Sequence, residues 1–137
     1  MSHSFQPVTD AASLQTWFDR SADEPVVFFN FDRHCVFNVA AYRQMESIDT
    51  PVCLVDVTRD HEVKTLLATL TGVRHESPQV VVVYHRRVVW SGSHGAITSA
   101  KVTRAVSMAT HPEELPGQTE QIAPTPWFAR WFGRRGS

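Results

Sequence analysis

The sequence predicts an α/β domain: a mixed four-stranded sheet flanked by helices. Two observations lead there. Valine outnumbers leucine eighteen to six, a bias that favours sheet over a pure helix bundle. The apolar runs alternate with stretches of helical spacing in the order α-β-α-β-α-β-β-α, and the first two strands, joined through a helix, form a parallel pair with a right-handed crossover. The last two strands are separated by a short turn and form an antiparallel hairpin.

Each element has its own warrant. Residues 9–21 place Leu14, Trp17 and Phe18 at helical spacing, with Thr9 or Asp10 as N-cap. Pro25 opens the run VVFFNF (26–31), apolar enough for a strand buried on both faces. Asp32-Arg33-His34 breaks it. Residues 36–48 suit a helix through Val36, Val39, Ala40, Met45 and Ile48, and Thr50-Pro51 ends it. VCLVDV (52–57) is a second buried-type strand. Residues 60–71 put Val63, Leu66, Leu67 and Leu70 on one face between an Asp60 N-cap and a Gly72 stop. The strands of the hairpin are 79–85 and 88–92, about a basic turn at Arg86-Arg87. A final helix over 98–109 turns Ala100, Val102, Ala105 and Val106 inward, with Thr98 as its cap. This order is that of the thioredoxin architecture.

The 137 residues suit one domain. Its expected extent is residues 1–110. Residues 111–137 form a tail with four of the eight prolines (Pro112, Pro116, Pro124 and Pro126), ending in WFARWFGRRGS. The tail can pack Trp127, Phe128, Trp131 and Phe132 on the domain, dock a partner, or touch a membrane beside Arg130, Arg134 and Arg135. Packing or disorder is expected over membrane contact. Thirteen basic against 14 acidic residues argue against a nucleic-acid binder. No run is long enough to span a membrane. Met1–Asp10 lacks the pattern of a secretory signal, so a cytoplasmic home is expected. The two cysteines, Cys35 and Cys53, are too few for a disulfide scaffold. The histidines show no metal-ligand spacing, so no metal is expected.

Cys35 follows the first buried strand and begins the next helix. A helix N-terminus carries partial positive charge and unpaired N–H groups, which favour a thiolate. His34 and Arg33 add positive charge. The thiolate is the nucleophile in disulfide exchange. A free cysteine is also commonly a buried core residue, and that plainer reading fits Cys53, which lies inside a strand. HCVF (34–37) has no second cysteine three residues on, which excludes a dithiol cycle within one motif. Ser77-Pro78 stands at the entry to the third strand, where proline is tolerated in cis or trans. Ser93-His94-Gly95 precedes the last helix, whose N-terminal N–H groups can hold an anion with His94 as a further donor. An exposed turn histidine beside a capping Thr98 fits equally. His75 and Glu76 are as ambiguous.

Together, GVRHESPQVVVV (72–83), the hairpin and SHGAIT (93–98) resemble the YtxJ-like family of monothiol bacilliredoxins, which have a thioredoxin fold. The resemblance covers residues 10–108. It implies that Cys35 is the catalytic cysteine and that Pro78 is a cis-proline facing it. It further implies a thiol-disulfide oxidoreductase that removes bacillithiol from S-bacillithiolated cytosolic proteins. Bacillithiol, or a similar low-molecular-weight thiol, is then a co-substrate, and no other cofactor is called for. In this reading His34 stabilises the thiolate, Ser77 and Pro78 shape the substrate groove, and Ser93, His94 and Gly95 hold the small thiol. The sequence departs from the family's T-C-P pattern, with His34-Cys35-Val36 in its place. Two other readings stand beside this one: a thioredoxin-like binding module that no longer catalyses exchange, and a redox sensor in which Cys35 forms an intermolecular disulfide.

Overall fold

The computed structural model describes residues 5–111. The tail beyond His111, with the packing or partner contact expected of its aromatic residues, lies outside them. A five-stranded mixed sheet runs in the order β1-β3-β2-β4-β5, with β1 at Gln6–Pro7, β2 at Val26–Phe31, β3 at Val52–Asp56, β4 at Gln79–Tyr84 and β5 at Arg87–Ser93. Strands β1, β3 and β2 are mutually parallel, and β4 runs antiparallel to both β2 and β5. The helices are α1 (Ala11–Arg20), α2 (Phe37–Glu46), α3 (His61–Thr71) and α4 (Ser99–Thr110), and a short 3-10 turn (His94–Ala96) precedes α4.

Alternation along β2 divides the core in two. Phe28 packs under α1 and α3 with Leu14, Phe18, Val63 and Leu67. Val27 and Phe29 pack under α2 and α4 with Ala41, Met45 and Val102. Successive strand side chains face opposite sides, so a strand covered on both sides is apolar at nearly every position. That is why VVFFNF and the valines of β4 carry no polar alternation.

The sheet has five strands where the sequence suggested four. The extra one, β1, pairs Gln6 with Cys53 and Pro7 with Leu54. Two residues are too short to show a period, and Pro7 is tolerated because the strand is an edge. The hairpin turn is His85-Arg86, one residue before the expected Arg86-Arg87, and Arg87 belongs to β5. Both turn residues have positive φ, 57° and 59°, as a primed two-residue hairpin turn requires. Neither is Gly or Asn; the buried Ser21 supports the turn instead, accepting from His85 N–H through its carbonyl (2.6 Å) and from Arg86 N–H through its hydroxyl (3.1 Å).

Two of the three expected N-caps form their side-chain bond. Asp10 accepts from Ser13 N–H and Thr98 from Lys101 N–H. Asp60 precedes α3 without a side-chain cap bond, and Gly72 ends that helix with φ 72°. In α4 the buried residues are Val102, Ala105 and Met108, while Ala100 is exposed. The largest departure is in α2, whose buried residues are Asn38, Ala41 and Met45. Val36, Val39 and Ala40, expected inside, face outward.

Candidate functional site

The turn from β2 into α2 is built around Asp32. Its carboxylate accepts from His34 N–H at 2.9 Å and its carbonyl from Cys35 N–H at 3.2 Å. An aspartate bonding its own backbone two residues on is a standard turn device. The Cys35 carbonyl then accepts from Asn38 N–H (3.0 Å), and the Val36 carbonyl from Val39 N–H (3.1 Å). Cys35 is half-buried where the chain tightens into α2. The leading N–H groups of a helix have no intrahelical acceptor, but those of Asn38 and Val39 are already used inside the turn. Val36 adds an N–H where a proline would have none.

The charged neighbours divide. His34 is exposed. Arg33 reaches back to Asp56 at 3.6 Å, so its charge is shared with a carboxylate. Burial alone would raise the Asp56 carboxyl; hydrogen bonds from Thr58, with Arg33 and Arg59 nearby, outweigh it and hold the group below its ordinary range. The pair ties the cysteine turn to the end of β3.

Opposite stands the loop entering β4. The Ser77–Pro78 peptide bond is cis, and Pro78 is buried. The Pro78 carbonyl accepts from His94 N–H at 3.1 Å, which binds this loop to the 3-10 turn. Gln79, buried, fixes the loop from below. Its amide oxygen accepts from Asn30 (2.8 Å) and Glu76 N–H (3.3 Å), and its amide nitrogen donates to the Arg74 carbonyl (2.8 Å). The Ser77 hydroxyl donates to Asn38 Oδ1 at 3.4 Å, spanning 39 residues of sequence. Cys35, Ser77 and Pro78 are thus brought to one end of the sheet by a connected polar framework.

His94 has φ 52° and an exposed ring, its Nδ1 4.0 Å from Glu76. The α4 N-terminus behind it already has partners: Ser99 N–H donates to Gln44 Oε1 (2.7 Å) and Lys101 N–H to Thr98 Oγ1 (3.1 Å). An anion bound there would compete with Gln44. Gly95 is exposed, and a Cβ added to it would meet no atom within 4 Å. The protonated form of His75 is disfavoured by burial and by Lys64, against Glu76.

Cys53 has the opposite setting. It is buried mid-strand, and burial pushes its thiol up to about 12. After Cys35 the chain exposes apolar side chains: Val36 and Phe37 are 75% and 78% exposed, and Val39 46%. Sequence reasoning missed the polar framework of Asn30, Asn38 and Gln79. Asn30 was detectable as the one polar residue in VVFFNF, and Asn38 as the residue three past Cys35. Among the described residues no group of His, Cys, Asp or Glu is arranged to hold a metal, and no helix is long and apolar enough to cross a membrane.

The profile of the family described as monothiol bacilliredoxin BrxC matches residues 6–102. The chain belongs to this bacilliredoxin family. Its fold is that of thioredoxin. A thioredoxin-fold protein superposes with a TM-score of 0.67 at 20% identity, covering 73% of this chain and 91% of its own. Thioredoxin from Fasciola hepatica gives 0.61 at 14%, covering 77% and 99%. Thioredoxin from Malassezia sympodialis gives 0.61 at 18%, covering 80% and 95%. Membership in the bacilliredoxin family makes the chain a thiol oxidoreductase in general terms.

Proposed function

We propose that the protein removes a low-molecular-weight thiol of the bacillithiol type from mixed disulfides on client proteins, using Cys35 alone. The observation that carries this reading is the contrast between its two thiols. Cys35 is accessible at a helix start, whereas Cys53 is buried and disfavoured as a thiolate. No second thiol is therefore placed to resolve a disulfide at Cys35 within the described chain.

The chemistry is two exchanges. The Cys35 thiolate attacks the small-thiol sulfur of the mixed disulfide; a new S–S bond forms to Cys35, and the client leaves as its thiolate. A second small thiolate then attacks that sulfur, giving the oxidised small-thiol dimer and restoring the Cys35 thiolate. Thiolate character sets the rate of attack. The start of α2 and His34 supply the positive environment. Ser77 and Pro78 form one wall of the groove, and Ser93, His94 and Gly95 contact the small thiol. The working compartment in this proposal is the reducing cytoplasm.

The test uses wild type, Cys35→Ser and Cys53→Ser. Incubation with an oxidised small thiol should add one adduct to wild type, located at Cys35 by mass spectrometry. Cys35→Ser should lose the adduct and all release of the small thiol from a thiolated client, with its circular dichroism unchanged. Cys53→Ser should retain both. If wild-type Cys35 alkylates no faster than a free model thiol and forms no mixed disulfide, the enzyme reading fails and a binding module takes its place.

A further inference from the structure

Asn38 stands three residues after Cys35, on the next turn of the same helical face. In a Cys-X-X-Cys arrangement a second thiol would occupy this place. Here a carboxamide does. The residue is fully buried, at 0% exposure, while the apolar residues on either side of it are exposed. A polar side chain in that position at the start of a helix, against the usual hydrophobic pattern, calls for a specific bonding role.

Its bonds join the two halves of the site. Asn38 Oδ1 accepts from Asp32 N–H at 2.9 Å and from the Ser77 hydroxyl at 3.4 Å. Asp32 opens the cysteine turn, and Ser77 forms the cis bond with Pro78. The orientation of the amide is set by chemistry: a backbone N–H can only donate, so the carbonyl oxygen must face it. The Nδ2 group is then left over. It is buried and has no hydrogen-bond partner among the described residues.

We infer that Asn38 is a positioning residue for the exchange reaction, which locks the Cys35 turn to the Ser77–Pro78 loop. The inference rests on the reading of Cys35 as the exchanging thiol. A substrate disulfide must lie between the cysteine turn and the proline loop, so a fixed separation sets the line of attack. Misplacement of about 1 Å in such an arrangement costs on the order of 100-fold in rate. Asn38 touches neither reacting sulfur in this account; it acts through the two segments it ties.

The experiment separates exchange from simple thiol reactivity in Asn38→Ala, Asn38→Asp and Ser77→Ala. Exchange is measured with a peptide carrying a small thiol in mixed disulfide. Alkylation of Cys35 is measured with iodoacetamide across pH, since this small reagent needs no groove. Asn38→Ala should slow exchange by about 10- to 100-fold and alkylation by less than about threefold, both read on folded protein. Ser77→Ala, which cuts the tie from its other end, should show the same split at smaller size, and it serves if Asn38→Ala does not fold. Asn38→Asp keeps the acceptor oxygen and adds a negative charge one turn from the sulfur. It should recover part of the exchange lost in Asn38→Ala and move the alkylation midpoint to higher pH, because a like charge disfavours the thiolate. Equal loss of exchange and alkylation, or exchange within twofold of wild type in both Asn38→Ala and Ser77→Ala, overturns the inference. If wild type exchanges nothing, the proposed function fails and the inference falls with it; wild-type exchange that Asn38→Ala and Ser77→Ala both retain overturns the inference alone.

Discussion

Helix α3 and the opening of α2 are built by opposite rules. In α3 the apolar residues face inward: Val63 and Leu67 are buried, Leu66 and Leu70 pack beside them, and the helix stops at a left-handed Gly72. At the start of α2 the pattern is inverted. Val36, Phe37 and Val39 face outward, and Asn38 is the fully buried residue among them. A helix that only closes a core gains by burying each apolar side chain it has. One that exposes three and buries an amide forgoes that gain, and the forfeit falls beside the accessible cysteine. The inversion marks where packing has yielded to chemistry.

The contrast can be broken most severely from the α3 side. Leu67→Ala removes a buried side chain from the cluster formed with Phe28 and Leu14. It should lower the free energy of unfolding by about 2–5 kcal/mol, measured by denaturant titration. The alkylation rate of Cys35 in the protein that remains folded should not change, because Leu67 packs on the face of the sheet away from α2. A coupled loss of Cys35 reactivity in folded protein would show that α3 also shapes the site.

What was legible in the sequence follows the same line. The α3 helix, the central strands and the βαβ order were readable because burial imposes a period, and the period is written in the residues. Cys35 was readable because a strand end followed by a helix start is a chemical location in its own right. The inward face of α2 was misread for a physical reason. A periodic reading sends Val36 and Val39 to the core, and only the bonds from Asp32 and Ser77 reveal why Asn38 goes there instead. The hairpin turn was displaced by one residue because it lacks the Gly or Asn that announces positive φ; Ser21, 64 and 65 residues away in sequence, supplies the support. Strand β1 has no signal of its own. It exists because β3 offers a free edge.

A milder perturbation sharpens the comparison through two glycines. Gly72 has φ 72°, and a Cβ there would meet nothing within 4 Å. The cost of Gly72→Ala is therefore backbone strain without a clash, about 1–2 kcal/mol. Gly95 also has open space around it but no left-handed φ. Gly95→Ala should leave stability within about 0.5 kcal/mol of wild type. Thermal unfolding of the two variants side by side checks this. Equal losses would mean that Gly95 is held by a constraint its backbone does not show, and that the loop beside His94 is as structurally committed as the end of α3.

The smallest effect on stability is expected where the pattern is inverted. Phe37 is 78% exposed, so Phe37→Ser gives up little buried area, and the stability change should stay within about 0.5 kcal/mol. The corresponding loss at Leu67 is several times larger, although phenylalanine is the bigger side chain. Environment decides, not residue type. The consequence for function depends on partner size. Under the proposed function a client protein covers the surface next to Cys35, and an exposed aromatic ring there gains apolar contact when the client arrives. A small oxidised thiol covers far less of that surface. Phe37→Ser should therefore raise the KM for a thiolated protein several-fold while leaving the rate of adduct formation with the oxidised small thiol nearly unchanged. Parallel kinetics with the two substrates read the difference. A drop in stability comparable to that of Leu67→Ala would show that Phe37 is structural after all. Equal slowing with both substrates would place its role at the sulfur and not at the client.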